Sequence, residues 1–356
     1  MNELTNPPVP EPLPGTGALP VALSPVAAGG RATRGPWATA LRKLCQDRAA
    51  MVAAAMLVVI IAACAVAPLY ASLVARTDPF ASNIDGTIRL DGQDVQVLQS
   101  DPSGFGTVPI GPTLRAQYFL GADTQGRDVA ARLLYGGRSS LLIAAGSSAL
   151  CLVLAALIGV VAGFFGGWVD AVLSRLLDVL WAFPIYLLAI SLSIVLINQA
   201  IHLGPLTIES GSLALPILII GVVYVPYVAR PVRGQVMSLA RADFVLAATA
   251  LGVPPARILW RDILPNVVTT LIVFVPLLMA LNMLTESALS FLSIGVQPPA
   301  ASWGTIIEDG QNMVYTRPLV AIAPGLCIVV TVLALNILGD GVRDALDPRA
   351  KLRVGK

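Results

Sequence analysis

Charge is scarce in this 356-residue chain: 12% of residues are Asp, Glu, Lys or Arg, about half the share of an ordinary soluble domain. That shortage, with 56% hydrophobic residues and a mean hydropathy of +0.78, excludes both a soluble globular protein and a disordered one. Histidine is almost absent, with His202 alone, and no C-x-x-C occurs, so neither a structural nor a catalytic zinc site is expected. Four cysteines are too few for a disulfide scaffold and read as small apolar residues. Three lysines, none after a glycine-rich loop, leave no phosphate-binding loop, and no G-x-S-x-G or H-E-x-x-H stretch is present. The chain therefore has no catalytic residues, metal or cofactor of its own to expect. Any work it performs must draw on a partner or an ion gradient.

What the chain has in abundance is long apolar runs. About 20 residues of helix cross a bilayer, and backbone polar groups inside the hydrocarbon must be satisfied within the segment. Six runs meet this: 49–70, 139–164, 176–198, 213–232, 267–291 and 320–338. The fold class expected is an all-α membrane protein of six transmembrane helices. Sixteen Lys and Arg residues fall before span one, between spans two and three and four and five, and after span six. The positive-inside rule then puts both termini in the cytoplasm.

This divides the chain into a Pro/Gly/Ala-rich leader at 1–36, a first-span region at 37–75, an extracytoplasmic segment at 76–138, a membrane core of the other five spans at 139–340 and a cytoplasmic tail at 341–356. The leader has no packed core to form. The Asp-, Gly- and Pro-rich stretch from Asp78 to Gly111 reads as turns and short strands.

The loop between spans four and five, RGQVMSLARADFVLAATALGVPPARILWRDILPNV at 233–267, is the most informative segment. Helix formers fill 235–251, Gly252 stands where a helix end wants a left-handed residue, and Pro254 and Pro255 suit the start of a second helix. That helix is expected at 256–264 and to end at Pro265. Two helices at a glycine elbow make a rigid projection suited to transmitting force; the plainer reading is an amphipathic connector on the membrane surface.

This segment resembles the EAA loop of ABC-importer permeases. Ala247 and Ala248 match the two alanines, Gly252 the glycine, and Leu264-Pro265 the closing pair; Leu246 replaces the glutamate and Asp262 an apolar residue or histidine. LGADTQGRDVAARLLYGGRSSLL at 120–142, GFFGGWVD at 163–170, DVLWAFP at 178–184, ESALSFLSIGVQPPAASWG at 286–304 and NILGDGVRDALDP at 336–348 resemble the C-type subunits of dipeptide/oligopeptide permeases.

The resemblance implies a type I importer fold in a bacterial inner membrane. It also implies partners: a second permease, expected to be a distinct B-type chain, two P-loop ATPase subunits that hold ATP and Mg, and an extracytoplasmic peptide-binding protein. Lipid surrounds the chain, and no nucleic acid is involved. Asp243, Ala247, Ala248, Gly252, Arg257, Asp262, Leu264 and Pro265 would couple to the ATPases. Nickel chelates, glutathione and oligosaccharides remain alternative substrates. An ion-coupled secondary transporter would need intramembrane relays, for which only Glu286 and Asp178 qualify.

Within the spans, Glu286 and Asn282 share a helix face and are pathway or gating candidates, along with the kink-forming Pro276 and Pro184. A hydrogen bond to a neighbouring helix is the competing role for Glu286. Asp123, Gly126, Arg127 and Asp128 form a polar turn that either docks the binding protein or braces the chain internally. Gly159, Gly163 and Gly167 are spaced for close helix approach.

Overall fold

A computed structural model describes residues 36–347 except 91, 101–105, 198, 204, 205 and 210. The leader at 1–35 and the last nine residues lie outside the described residues.

The chain opens with α1 (Pro36–Gln46), then α2 (Arg48–Ala65), whose N-cap Asp47 accepts hydrogen bonds from the Ala49 and Ala50 amides. One turn, α3 (Ala67–Leu69), and a π-helical turn at Tyr70–Ala75 follow. Two antiparallel pairs come next, β1 (Thr87–Leu90) with β2 (Gln93–Gln96), and β3 (Leu98–Ser100) with β4 (Thr107–Pro109). α4 (Val129–Phe165) is 37 residues long, about 55 Å. It starts ten residues before the expected 139, because Asp128 caps it: the Asp128 carboxylate accepts from the Ala130 and Ala131 amides at 2.9 and 3.1 Å.

α5 (Gly167–Ala182) and α6 (Ile185–Leu196) replace the single helix expected at 176–198. They meet at 88°, at Phe183 and Pro184, where proline disfavours helix in the preceding residue. After β5 (Ile201–Leu203) and β6 (Leu206–Ile208), α7 (Ala214–Val223) and α8 (Val225–Ala240) bend by 45° ahead of Pro226. α9 (Asp243–Ala250) and α10 (Pro255–Ile258) lead through a π-helical stretch, Leu259–Ile263, into α11 (Leu264–Phe291). α12 (Trp303–Gln311) and α13 (Leu319–Leu346) complete the chain. The last span thus continues beyond 338 as one helix. Among the described residues, four helices are long and apolar enough to cross a membrane, and up to six crossings result if each bent pair is one span.

The main core lies where α4, α7, α8 and α11 meet, around Ile143, Cys151, Ile220, Val228, Val232 and Leu278. Close approach of α4 to α8 needs glycine: a Cβ on Gly163 would fall 2.7 Å from the Arg233 carbonyl, and one on Gly159 2.9 Å from that of Ala229. Gly167 does not share this face. It lies beyond the end of α4, with φ +54 and open space around it.

Two ends of the bundle are distinct. At one, Gly341 of α13 sits against Leu44 and Asp47, so α1 and the end of α13 are together. At the other, Arg127 and Arg132 near the start of α4 reach Asp309 of α12, and the Arg317 guanidinium donates to the Pro109 carbonyl at 2.6 Å.

Candidate functional site

The projection between α8 and α11 is held at one face and open at the other. Helix 235–251 is not continuous: α8 stops at Ala240, Ala242 is extended, and Asp243 opens α9, where its negative charge suits the helix N-terminus. α9 closes with Gly252 at φ +76. The Gly252 amide donates to the Thr249 carbonyl at 3.0 Å and the Val253 amide to the Ala248 carbonyl at 3.1 Å. Those two bonds constitute a Schellman motif, with the left-handed residue in its required place. Pro254 and Pro255 then preset the first turn of α10.

Pro265 does not end a helix here. Pro255–Phe291 forms one 37-residue helix, and the π-helical stretch at Leu259–Ile263 shifts the hydrogen-bond register just before the residue that lacks an N–H.

Val245, Ile258 and Ile263 bury themselves in the main core and anchor the projection. Phe244, Leu246, Leu251 and Trp260 point the other way, with Leu251 84% and Trp260 70% exposed. Among the candidates, Asp243, Ala247, Gly252, Arg257 and Pro265 are exposed, and Ala248, Asp262 and Leu264 are half-buried. Leu246, which departs from the EAA pattern, is therefore part of an apolar exposed set that composition alone did not single out. Beside the projection, Arg233 of α8 pairs bidentately with Asp170 of α5. Arg230 donates to Asp178 at 2.9 Å and lies over the Trp181 ring. Arg175 also pairs with Asp178, at 3.9 Å on the surface, where it contributes little.

Two of the intramembrane candidates, Glu286 and Asn282, face the interior of the helix bundle. Glu286 and Asn282 have no exposed surface. The Ser140 hydroxyl on α4 donates to Glu286 at 2.9 Å, and Ser290 donates to it at 2.7 Å. Ser140 and Ser290 in turn accept from the Trp303 and Val296 amides. Asn282 donates to Ser147 and Ser148 at 2.9 and 3.0 Å. These bonds tie α11 to α4. Pro276 is buried inside α11, and Pro184 stands exposed at the bend between α5 and α6. Glu286→Ala is expected to strand two hydroxyls and lower stability by about 1–3 kcal/mol, while Glu286→Gln retains most of it. Thermal unfolding of the detergent-purified chain checks this; an Ala variant with unchanged unfolding but no transport would make Glu286 a gating residue instead.

The polar turn, for which the sequence leaves docking and internal bracing both open, is bonded within the chain. Asp123 is 1% exposed, and Arg127 and Asp128 are buried too. Asp123 pairs with Arg127 at 2.7 Å and Arg132 at 3.3 Å. Asp309 joins the same two guanidiniums at 3.0 and 2.8 Å. Asp128 also accepts from the Tyr118 amide at 2.8 Å. Burial pushes its carboxyl above the usual carboxylate range, against the opposing pull of its backbone donors. Gly126, at φ +72, passes against the Asn83 carbonyl, where no Cβ fits. Arg132 and Asp309 were not singled out in the sequence because 177 residues separate them.

Known proteins resemble this chain in sequence. Residues 155–352 match the family described as binding-protein-dependent transport system inner membrane component, and residues 35–90 match the N-terminal TM domain of oligopeptide transport permease C. The chain is 36% identical over 236 residues to the dipeptide transport system permease protein DppC of Alkalihalophilus pseudofirmus, covering 66% of this chain and 73% of that protein. It is 36% identical over 234 residues to the glutathione transport system permease protein GsiD of Pectobacterium atrosepticum, covering 66% and 73%. To the oligopeptide transport system permease protein OppC of Haemophilus influenzae it is 36% identical over 238 residues, covering 67% and 72%. A chain of the inward-facing MetNI methionine ABC transporter superposes with a TM-score of 0.47 at 18% identity, over 60% of this chain and 96% of that one. The chain belongs to the inner-membrane components of binding-protein-dependent ABC transport systems, in the dipeptide/oligopeptide C-type branch: a multi-pass membrane permease and not an enzyme.

Proposed function

We propose that this chain is one permease of an ATP-driven importer of peptides, and that its 243–263 projection is the part that docks on the ATPase subunits. The observation that carries the reading is the projection itself. Its helices are joined by a Schellman-type glycine elbow, fixed by Val245, Ile258 and Ile263, and present Phe244, Leu246, Leu251 and Trp260 outward. Exposed apolar groups on a rigid support are costly to leave uncovered, and they fit a groove on another protein.

ATP and Mg bind in the partner chains. Closure of the ATPase pair draws the projections of two permeases together, and α11 carries that motion into the membrane. The second permease is a distinct B-type chain, and both termini face the cytoplasm, a reading the Lys and Arg distribution supports. An extracytoplasmic binding protein delivers the peptide. Glutathione, itself a peptide, falls within the same substrate class.

Cysteine placed at Leu251 tests the docking. In membranes, Leu251→Cys is expected to cross-link to a P-loop ATPase that co-purifies with a second permease, and peptide-loaded binding protein is expected to raise ATP hydrolysis. A chain that purifies alone, with no cross-link at Leu251, overturns the reading.

A further inference from the structure

α5 carries two stripes at helical spacing, about 200° apart around its axis. Trp168, Val172, Leu176 and Val179 make one, and all four are exposed. An exposed apolar stripe on a membrane protein suits hydrocarbon. Asp170, Ser174, Asp178 and Trp181 make the other, which is turned to α8: Asp170 pairs with Arg233, and Asp178 accepts from Arg230. Lipid against the first stripe leaves water or protein for the second.

The far end of the second stripe is open. The side chains of Asp178 and Arg230 are 52% and 40% exposed. The Arg230 guanidinium lies 5.3 Å from the centre of the Trp181 ring, and Trp181 stacks on Tyr227 at 6.3 Å. Tyr227 meets Phe274 of α11 in a T-shaped contact at 6.1 Å. At about 1.5 Å per residue, Phe274 stands about 10 Å inside the apolar run that begins at Val267. An exposed ion pair beside it is too costly to face acyl chains, so this shelf faces the interior of the transporter.

Two features say what the shelf is suited to hold. Opposite charges beside an aromatic face match a zwitterion with apolar side chains. The guanidinium takes a carboxylate, Asp178 takes an ammonium, and the Trp181 ring covers a side chain whatever its identity. The two charges also already satisfy each other, at 2.9 Å. A ligand here exchanges one ion pair for others and is held weakly, as passage through a membrane requires. We propose that Asp178, Trp181, Tyr227 and Arg230 form a subsite for the transported peptide on the projection side of the pathway, with its C-terminal carboxylate on Arg230 and its ammonium on Asp178. The inference rests on the peptide-import reading above.

Uptake of alanyl-phenylalanine into proteoliposomes holding the whole transporter, with the binding protein saturated by each peptide, tests it. R230Q is expected to slow uptake of the free dipeptide about tenfold, the worth of one charge-assisted hydrogen bond, and of its C-terminal amide less than about twofold. D178N is expected to slow the free dipeptide similarly and the N-acetyl dipeptide little. Preferences of the binding protein cancel in each ratio of variant to wild type. Both side chains are half-exposed, so each variant is expected to fold, and either one alone suffices. Equal slowing of free and blocked peptides overturns the subsite and makes the pair a structural contact, with peptide import intact. Uptake that neither variant changes overturns it as well. A wild-type transporter that takes up no dipeptide overturns the import reading and this subsite with it.

Discussion

Gly252→Val is expected to cut peptide-stimulated ATP hydrolysis and uptake at least about tenfold while leaving the transporter assembled. A β-branched residue held at φ +76 carries strain of about 1–3 kcal/mol, and α9 can relieve it only by abandoning its Schellman closure. No atom lies within 4 Å of the position a Cβ would take, so the effect comes from the backbone and not from a clash. That makes a graded series decisive. Asparagine tolerates the left-handed region and is expected to retain most of the coupling, alanine less, and valine least. ATPase and uptake measured in proteoliposomes give the ranking. Equal activity across the series would mean that the elbow does not transmit force.

The second large effect lies at the opposite end of the bundle. Asp123→Ala removes one of the two carboxylates that hold Arg127 and Arg132, which are themselves nearly inaccessible. Breaking a buried ion pair from one side costs about 3–5 kcal/mol, because the remaining charges are stranded. Unfolding in a denaturing detergent should therefore shift far more than for a surface pair such as Arg175–Asp178. Removing a stranded cation as well, in Asp123→Ala/Arg132→Met, is expected to recover part of the loss. A single variant as stable as wild type would show that water reaches these guanidiniums.

How much of this was legible in the sequence depended on range. The spans could be read because hydrocarbon imposes their length and composition, and the Gly252 elbow because its glycine and two prolines act within a few residues. The start of α4 was missed because its apolar run begins well after its true cap at Asp128. The break at Arg241–Ala242 was missed because Arg, Ala and Leu around it all favour helix, and packing, not propensity, divides α8 from α9. Proline lacks an N–H, so Pro265 looks in the sequence like a terminator; in the structure a π-helical stretch precedes it and the helix continues. For the site, residue type and position single out Glu286 and Arg127. Their partners, Ser140 and Asp309, are 146 and 182 residues away, beyond what local pattern can supply.

If the projection docks as proposed, the continuous helix from Pro255 to Phe291 would act as a lever. Its short arm lies in the projection, and its long arm carries Asn282 and Glu286 against α4. At about 1.5 Å per residue the rod is about 55 Å long, so each degree of tilt sweeps its tip through about 1 Å. On the proposed docking reading, motion imposed beside Gly252 would pass along this helix to the contacts with α4, and the geometry of the rod would set its size.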